Sequence, residues 1–179
     1  IYANTGSYIH VDVFTEDTGI HLGDTADLFS GILQISDTEF DHLTTSHVLV
    51  GSLQSSDIVI TDTINSTADP LLQLHTADNI HLESGLIDLD QGSLQIQPGV
   101  FPPGQFTARD QGLDVHAASR IQTQGVYTVN IDGNIPDTQY DQWKLEGFTI
   151  LSNTALAFEG NYIPVETDSF LILINDDTD

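Results

Sequence analysis

The feature that most constrains this chain is the recurrence of short apolar-alternating segments separated by polar turns. Segments such as Ile9–Val13, Ile80–Leu82 and Leu94–Ile96 place apolar residues at every second position, which is the period of a half-buried β-strand. The separators are rich in Gly, Asp, Asn, Ser and Thr, which favour turns. Because no window sustains the spacing of about 3.6 residues of an amphipathic helix, the sequence predicts an all-β chain.

The spacing of these segments predicts how the strands stack. Ile58 and Ile80 lie 22 residues apart, and IVITDTI, which begins at the first, is similar in style to IHLESGLIDL, which begins at the second. A period of about 20 to 25 residues with two or three short strands is typical of a β-solenoid. We therefore predict a right-handed parallel β-helix (β-solenoid), with room for a distinct C-terminal β segment. A jelly roll or β-sandwich is the alternative, although its strands are usually longer.

A proline-rich stretch, QPGVFPPGQF (Gln97–Phe106), is the clearest discontinuity, because proline cannot donate to a strand ladder. We predict solenoid strands in residues 1–99, a loop or boundary at 100–112, and continued β-helix or a C-terminal β segment at 113–179. Protruding loops often carry binding function. The predicted contact surface consists of Phe101, Phe106, Arg109 and Tyr127.

Charge excludes several classes of function. The chain has 27 Asp and Glu against three Lys and Arg, a net charge of −24. Nucleic-acid binding relies on Lys and Arg to neutralise phosphates, so we exclude it, and no apolar run is long enough to insert into a membrane. Cysteine is absent, so neither disulfides nor thiolate metal sites are available. Added calcium or salt should screen the self-repulsion and raise the melting temperature.

The stretch ISDTEFDHLTTSHVLVG (Ile35–Gly51) collects three acidic residues and two histidines, which suggests a cation site. It lacks the D-x-D-x-D-G spacing of a calcium loop, and its histidines do not have the spacing of zinc ligands. We therefore predict a solvated turn capped by Ser36 and Asp37, with Phe40 and Leu43 packed inward. We expect no cofactor and no dedicated metal site, and any calcium bound would be nonspecific.

Residues Gly19–Ile64 resemble the repeats of large bacterial exoproteins of the filamentous-haemagglutinin and autotransporter-passenger type. Those repeats combine a Gly-Ile-x-Leu-Gly strand, Leu-x-Leu-Ser-Asp-x-Glu-Leu, a strand ending in Ile-Gly, and Gly/Ser-Asp-Ile-x-Ile. Phe40 departs from the usual Leu, and Leu71–Gly99 continues in the same style. The matching positions are Gly19, Ile20, Leu22, Gly23, Ile35, Ser36, Asp37, Glu39, Phe40, Val50, Gly51, Asp57, Ile58 and Ile60.

Residues Gly125–Asp177 are similar to a segment that accompanies β-helical passenger regions in giant surface proteins. Trp143 replaces the usual Leu, and Glu166-Thr167-Asp168 stands where Pro-x-Gly-Asp is common. The landmarks of this resemblance are Tyr127, Gly133, Tyr140, Asp141, Gln142, Gly147 and Leu156. Together the two resemblances imply a β-helical segment displayed outside the cell with a structural or adhesive role, and they supply no catalytic residues.

The expected function is therefore that of an adhesin, stalk or self-assembling filament on the cell surface. Its expected partners are a host-cell, glycan or other surface receptor, or further copies stacked end to end. The alternative is a carbohydrate-active enzyme module or a carbohydrate-binding solenoid. Carboxylates for it are supplied by Asp88, Asp90, Asp176, Asp177 and Asp179, but the chain shows no basic partner motif beside them and no nucleophile elbow. We predict that the chain is not an enzyme.

Overall fold

The structure, a computed structural model, describes residues 8–23, 30–66, 68, 70–83, 86–99, 105–108, 114–116, 120–136, 138–151 and 154–175. In chain order, its elements up to residue 97 are β1 (Tyr8–Val11), β2 (Thr18–Leu22), β3 (Leu33–Ile35), α1 (Asp37–Phe40), β4 (His47–Val50), β5 (Ser55–Ile60), β6 (Ile64–Asn65), β7 (Leu71–His75), β8 (Ile80–Leu82), β9 (Leu86–Asp88) and β10 (Ser93–Gln97). The later elements are β11 (Gln105–Ala108), β12 (Asp114–His116), β13 (Arg120–Thr123), β14 (Gly125–Asn130), β15 (Trp143–Glu146), β16 (Thr149–Ile150), β17 (Thr154–Glu159) and β18 (Leu173–Asn175).

The strands form three parallel sheets that the chain visits in turn. The first sheet has the order β1-β4-β7-β10-β13-β16, the second β17-β14-β11-β8-β5-β2-β3, and the third β18-β15-β12-β9-β6. From β4 onward, each strand pairs with the strand three places further along the chain. Ile58 pairs with Ile80 in this way, and Ile64 pairs with Ile87. Equivalent apolar positions therefore stand beside one another across each sheet.

This architecture corrects the predicted fold class. A right-handed parallel β-helix, or β-solenoid, is not found: within the described ranges the strands form separate small parallel sheets, and none is a closed or solenoid sheet. At the end of β4, the positive φ of +79° at Gly51 turns the chain out of the first sheet before β5 begins. In addition, β3 pairs with β2 inside the second sheet instead of starting another one. A sequence period predicts that strands stack in parallel, but it does not determine whether one sheet continues into the next.

Alternating side chains hold the three sheets around one core. In β7, Leu72 and Leu74 are fully buried, whereas the intervening Gln73 is partly exposed. Their neighbours Val48 and Val50 on β4 are also fully buried. Burying each such side chain contributes about 1.5 to 3 kcal/mol, and one cluster contains buried apolar side chains from all three sheets.

A single helical turn covers the N-terminal end of the third sheet. Ser36 and Glu39 form a capping box, in which the Ser36 hydroxyl accepts from the Glu39 N–H and the Glu39 carboxylate accepts from the Ser36 N–H at 3.0 Å. The Asp37 carboxylate accepts the backbone N–H of Asn65, on the edge strand β6, at 2.7 Å. Phe40 is only 2% exposed and belongs to the core. The helix α1 thus closes an edge that would otherwise present unpaired backbone groups.

The proline-rich segment does not interrupt the second sheet. β11 lies inside the range 100–112, which the sequence predicts as a loop or boundary, and it pairs with β8 on one side and β14 on the other. The division of the chain into 1–99, 100–112 and 113–179 stays a prediction.

Candidate functional site

The contact surface predicted from the sequence is only partly described. Phe101 and Arg109 lie outside the described residues, and Phe106 lies on β11, where its backbone pairs with Tyr127. Tyr127 is 4% exposed, and its hydroxyl donates to the carbonyl of Ile172 at 3.3 Å. Desolvation by burial, and then the nearby Asp141 carboxylate, raise the pKa of Tyr127. The Tyr127 side chain therefore serves the core, and the surface as a whole stays a prediction.

The acidic and histidine-rich stretch contains a capped turn, as the sequence predicts, but Asp37 accepts the Asn65 N–H instead of capping that turn. Ser36 caps α1, and Leu43 packs against the core beside the buried Phe40. His42 uses its Nδ1 atom in a 2.6 Å hydrogen bond to the carbonyl oxygen of Thr38. Over the part of the chain that the structure describes, no three His, Asp or Glu side chains converge in a way that could hold a metal ion.

The outer face of the first sheet carries a connected polar network. His47 contacts Gln73 through its Nε2 atom at 3.3 Å, and Gln73 donates to the side-chain oxygen of Gln97 at 2.8 Å. Tyr8 places its ring 5.9 Å from the His47 ring. The pKa of His75 is lowered, first by desolvation and then by a nearby histidine. Contacts among its own side chains therefore order this face.

Among the carboxylates considered for catalysis, Asp88 and Asp90 are described by the structure, Asp88 at the end of β9 and Asp90 in the turn that follows. The Asp88 carboxylate accepts the backbone N–H of Asp90 at 3.1 Å, and Asp90 has a positive φ of 49°. This is the local hydrogen bonding that aspartate provides in turns. Asp176, Asp177 and Asp179 lie outside the described residues.

The apolar surface of greatest interest lies on the last strand of the second sheet. Leu156 pairs with Tyr127 and Phe158 pairs with Val129, and these two partners on β14 are 4% and 0% exposed. Leu156 is nevertheless 49% exposed and Phe158 is 59% exposed. Side chains that occupy core positions on the preceding strand are therefore open to solvent on β17. We call Leu156, Phe158 and the cavity beside them the C-terminal surface.

The cavity has a volume of about 570 Å³, within the range of roughly 300 to 1,000 Å³ that is usual for ligand sites. Three aromatic residues line it: Phe158, Tyr162 and Phe170. Two acidic residues, Glu159 and Asp168, also line it. The remaining lining residues are Ile131, Gly160, Pro164 and Ile172, so the lining is mainly apolar with two acidic residues.

Hydrogen bonds fix the polar wall of the cavity. Asp168 accepts from the Tyr162 hydroxyl at 2.9 Å and from the Val165 N–H at 2.8 Å, and both bonds are made to its Oδ2 atom. The bond to the carboxylate is the first cause of a raised pKa of Tyr162. Tyr162 and Phe170 meet edge to face, with ring centroids 6.0 Å apart. These side chains are positioned before any ligand arrives.

Gly160 connects β17 to this wall and permits a close backbone contact. Its φ is +112°, and an added Cβ would lie 2.2 Å from the carbonyl oxygen of Ile131. Asn161 follows, and its N–H donates to the Asp132 carboxylate at 2.8 Å. A larger residue at 160 would push the cavity wall away from the sheet.

The sequence pattern does not mark the C-terminal surface as a site. Leu156 and Phe158 alternate with Ala155 and Ala157, which indicates a strand but does not show whether another element covers the face with Leu156 and Phe158. The signal available is the clustering of Phe158, Tyr162 and Phe170 around Gly160-Asn161, a turn-forming pair.

Comparison with known proteins found no matching protein-family model, no matching curated protein and no matching solved structure. Among the described residues, no helix is long and apolar enough to cross a membrane.

Proposed function

We propose that this chain is a structural and adhesive segment of a secreted or surface-displayed bacterial protein, and that it attaches through its C-terminal surface. The observation that carries the proposal is the contrast between paired strands. Tyr127 and Val129 are buried on β14, whereas Leu156 and Phe158 at the paired positions on β17 are about half exposed. Exposed apolar groups beside an open sheet edge are typical of an interaction surface.

The rest of the molecule supports a scaffold role. In-register parallel pairing repeats through three sheets around one core, and the His47–Gln73–Gln97 network orders the outer face of the first sheet. A net charge of −24 keeps such a segment soluble through self-repulsion. The resemblance to bacterial exoprotein repeats agrees with extracellular display.

A bead-attachment assay tests the proposal. Beads coated with the purified chain are applied to cultured epithelial cells and to an array of immobilised glycans, and the retained beads are counted. We expect retention on at least one of these surfaces. Changing Leu156→Ser together with Phe158→Ser should reduce it about tenfold or more, because each buried apolar side chain contributes roughly 1.5 to 3 kcal/mol.

The matched control is Phe14→Ser, since Phe14 is a fully exposed aromatic residue in the segment between β1 and β2. This variant should keep its retention. Equal retention of the control and the double variant, or no retention on any surface, would contradict the proposal. Release of sugar products from the array would instead favour the enzyme alternative.

A further inference from the structure

The last strand of the second sheet is an open edge that leads directly into the cavity. All six residues of β17 pair with β14, and within the described ranges no strand pairs with the other side of β17. The strand ends at Glu159, which lines the cavity together with Gly160. An extended segment that added to this edge would therefore pass from the strand to the cavity mouth.

The register of the existing strands indicates where the side chains of such a segment would lie. Tyr127 on β14 stands beside Leu156 on β17, and Val129 stands beside Phe158. A parallel segment that continued this register would place two of its side chains over Leu156 and Phe158. Its residue beside Gly160 would then reach the cavity. Strand addition of this kind takes affinity from backbone hydrogen bonds and specificity from side-chain pockets.

The cavity is suited to a cationic side chain. Aromatic faces attract ammonium and guanidinium groups, and three aromatic residues line the cavity beside the Asp168 carboxylate, with the acidic residue Glu159 also in the lining. The two hydrogen bonds that Asp168 accepts are both made to Oδ2, which leaves Oδ1 for a donor from a ligand. The apolar remainder of the lining matches the methylene stem of Lys or Arg.

The charge of the chain also indicates which kind of partner would supply the Lys or Arg side chain. The chain has only three Lys and Arg against 27 acidic residues, and acidic residues such as Asp37 and Glu39 lie at the N-terminal end of its sheets. A second copy stacked on β17 would therefore bring like charges together. A basic partner would be attracted to the same surface.

We propose that β17 accepts an extended segment of a basic protein partner in parallel register, and that the aromatic and acidic cavity holds a Lys or Arg side chain of that segment. This inference rests on the proposed function of the C-terminal surface as the point of attachment. It adds the chemical class of the partner and the residues that select it.

Three synthetic peptides test the proposal. Each carries seven residues to match 154–160, acetyl-Thr-Thr-Val-Thr-Val-Thr-X-amide, with valines to cover Leu156 and Phe158 and with X opposite Gly160. X is Lys, norleucine or Glu, so that charge is separated from stem length. Affinity is measured by fluorescence anisotropy with the full chain. We expect the Lys peptide to bind roughly fivefold or more tightly than the norleucine peptide, and the Glu peptide to bind most weakly.

Protein variants locate the selectivity. Glu159→Gln together with Asp168→Asn should bring the ratio of Lys to norleucine affinity close to one, since the amides can still accept hydrogen bonds but carry no charge. The control Glu16→Gln removes an exposed acid far along the sequence and should keep the ratio. Raising the salt from about 50 to about 500 mM should lower the affinity of the Lys peptide and leave that of the norleucine peptide unchanged.

The outcomes separate this inference from the proposed function. Equal affinity for all three peptides, or a Lys preference that survives the double amide variant, would overturn the basic-partner inference. If bead attachment still depended on Leu156 and Phe158, the proposed function would stand. Concentration-dependent self-association in sedimentation would instead identify a second copy as the occupant. Binding of neutral oligosaccharides to the cavity in preference to every peptide would identify a sugar, and both results would also overturn the inference.

Discussion

The two ends of the sheets solve the same problem in different ways. At the N-terminal end, α1 covers the edge of the third sheet and buries Phe40 to 2% exposure. At the C-terminal end, β17 leaves Leu156 and Phe158 about half exposed, beside an edge with which no further strand pairs in the described ranges. Edge strands need protection. The contrast therefore shows that the chain covers the β6 edge with its own helix, whereas the apolar side chains Leu156 and Phe158 on β17 stay exposed to solvent.

The largest expected effect comes from removing the buried aromatic residue at the covered end. Phe40→Ala should lower the free energy of unfolding by about 3 to 5 kcal/mol, because it leaves a cavity in the core. Urea denaturation followed by tryptophan fluorescence and circular dichroism measures this change. A loss below about 1 kcal/mol would mean that α1 is not a structural part of the core.

An intermediate effect on the free energy of unfolding is expected at Gly160, which follows β17 and has a backbone conformation that favours glycine. Gly160→Ala should cost about 1 to 3 kcal/mol, because Gly160 has a φ of +112° and the added Cβ would meet the carbonyl oxygen of Ile131. Gly31→Ala is the control, since Gly31 also has positive φ but an added Cβ there meets no atom within 4 Å. An equal cost for both variants would show that strain, and not the close contact, accounts for the loss.

A smaller effect is expected for the cap of α1. Ser36→Ala should cost about 1 kcal/mol, because the Glu39 N–H loses its acceptor. The change also bears on pH. Hydrogen bonds from the Ser36 backbone, then from its side chain, lower the pKa of Glu39. The stability that this pKa shift gives the folded chain is therefore fully present above the pKa that Glu39 has in the unfolded chain. It is lost as the pH falls through the lower pKa that Glu39 has in the folded chain.

In Ser36→Ala the pKa of Glu39 should rise toward its ordinary value, since the hydroxyl no longer donates to the carboxylate. Carbon-13 NMR titration of the Glu39 carboxyl measures this shift. An unchanged pKa would show that the backbone N–H of Ser36 alone holds the carboxylate in its charged form.

The smallest effect on stability is expected at the open end. Phe158→Ser should change the free energy of unfolding by less than about 0.5 kcal/mol, since Phe158 is 59% exposed. The same urea assay measures it beside Phe40→Ala. A cost as large as that of Phe40→Ala would mean that Phe158 is part of the core, and the comparison between the ends would fail.

Sequence alternation predicts much of the burial in this molecule. Leu72 and Leu74 alternate with outward Gln73, and they are buried as predicted. The short helix carried a readable signal as well, because Ser36 followed three residues later by Glu39 is a capping box. These features are local, and the chain within a few residues determines them.

Pairing between strands depends on residues far apart in the sequence, and the sequence predicts it poorly. Alternation shows that Ile58 faces inward, but it does not show that Ile58 lies between Ile20 and Ile80 in a sheet separate from that of Val50. For the same reason Tyr127, which lies near a predicted loop, belongs to the core. The exposure of Leu156 depends on whether another strand lies beside β17, and the period of the sequence does not show this.

The cavity was equally hard to predict. Tyr162 and Asp168 follow no strand period, and they meet because Asp168 accepts hydrogen bonds from the Tyr162 hydroxyl and the Val165 N–H. Side-chain hydrogen bonds of this kind depend on how the chain returns after Gly160, and residue spacing alone does not give that path.

The helix α1 makes the β6 edge different from the β17 edge. For a strand to be added beyond β6, Asp37 would have to release the Asn65 N–H and Phe40 would lose its burial. No strand covers the free side of β17 in the part of the chain that the structure describes. Adding a strand to the third sheet at β6 therefore costs a hydrogen bond and a buried aromatic side chain, whereas adding one to the second sheet at β17 costs neither.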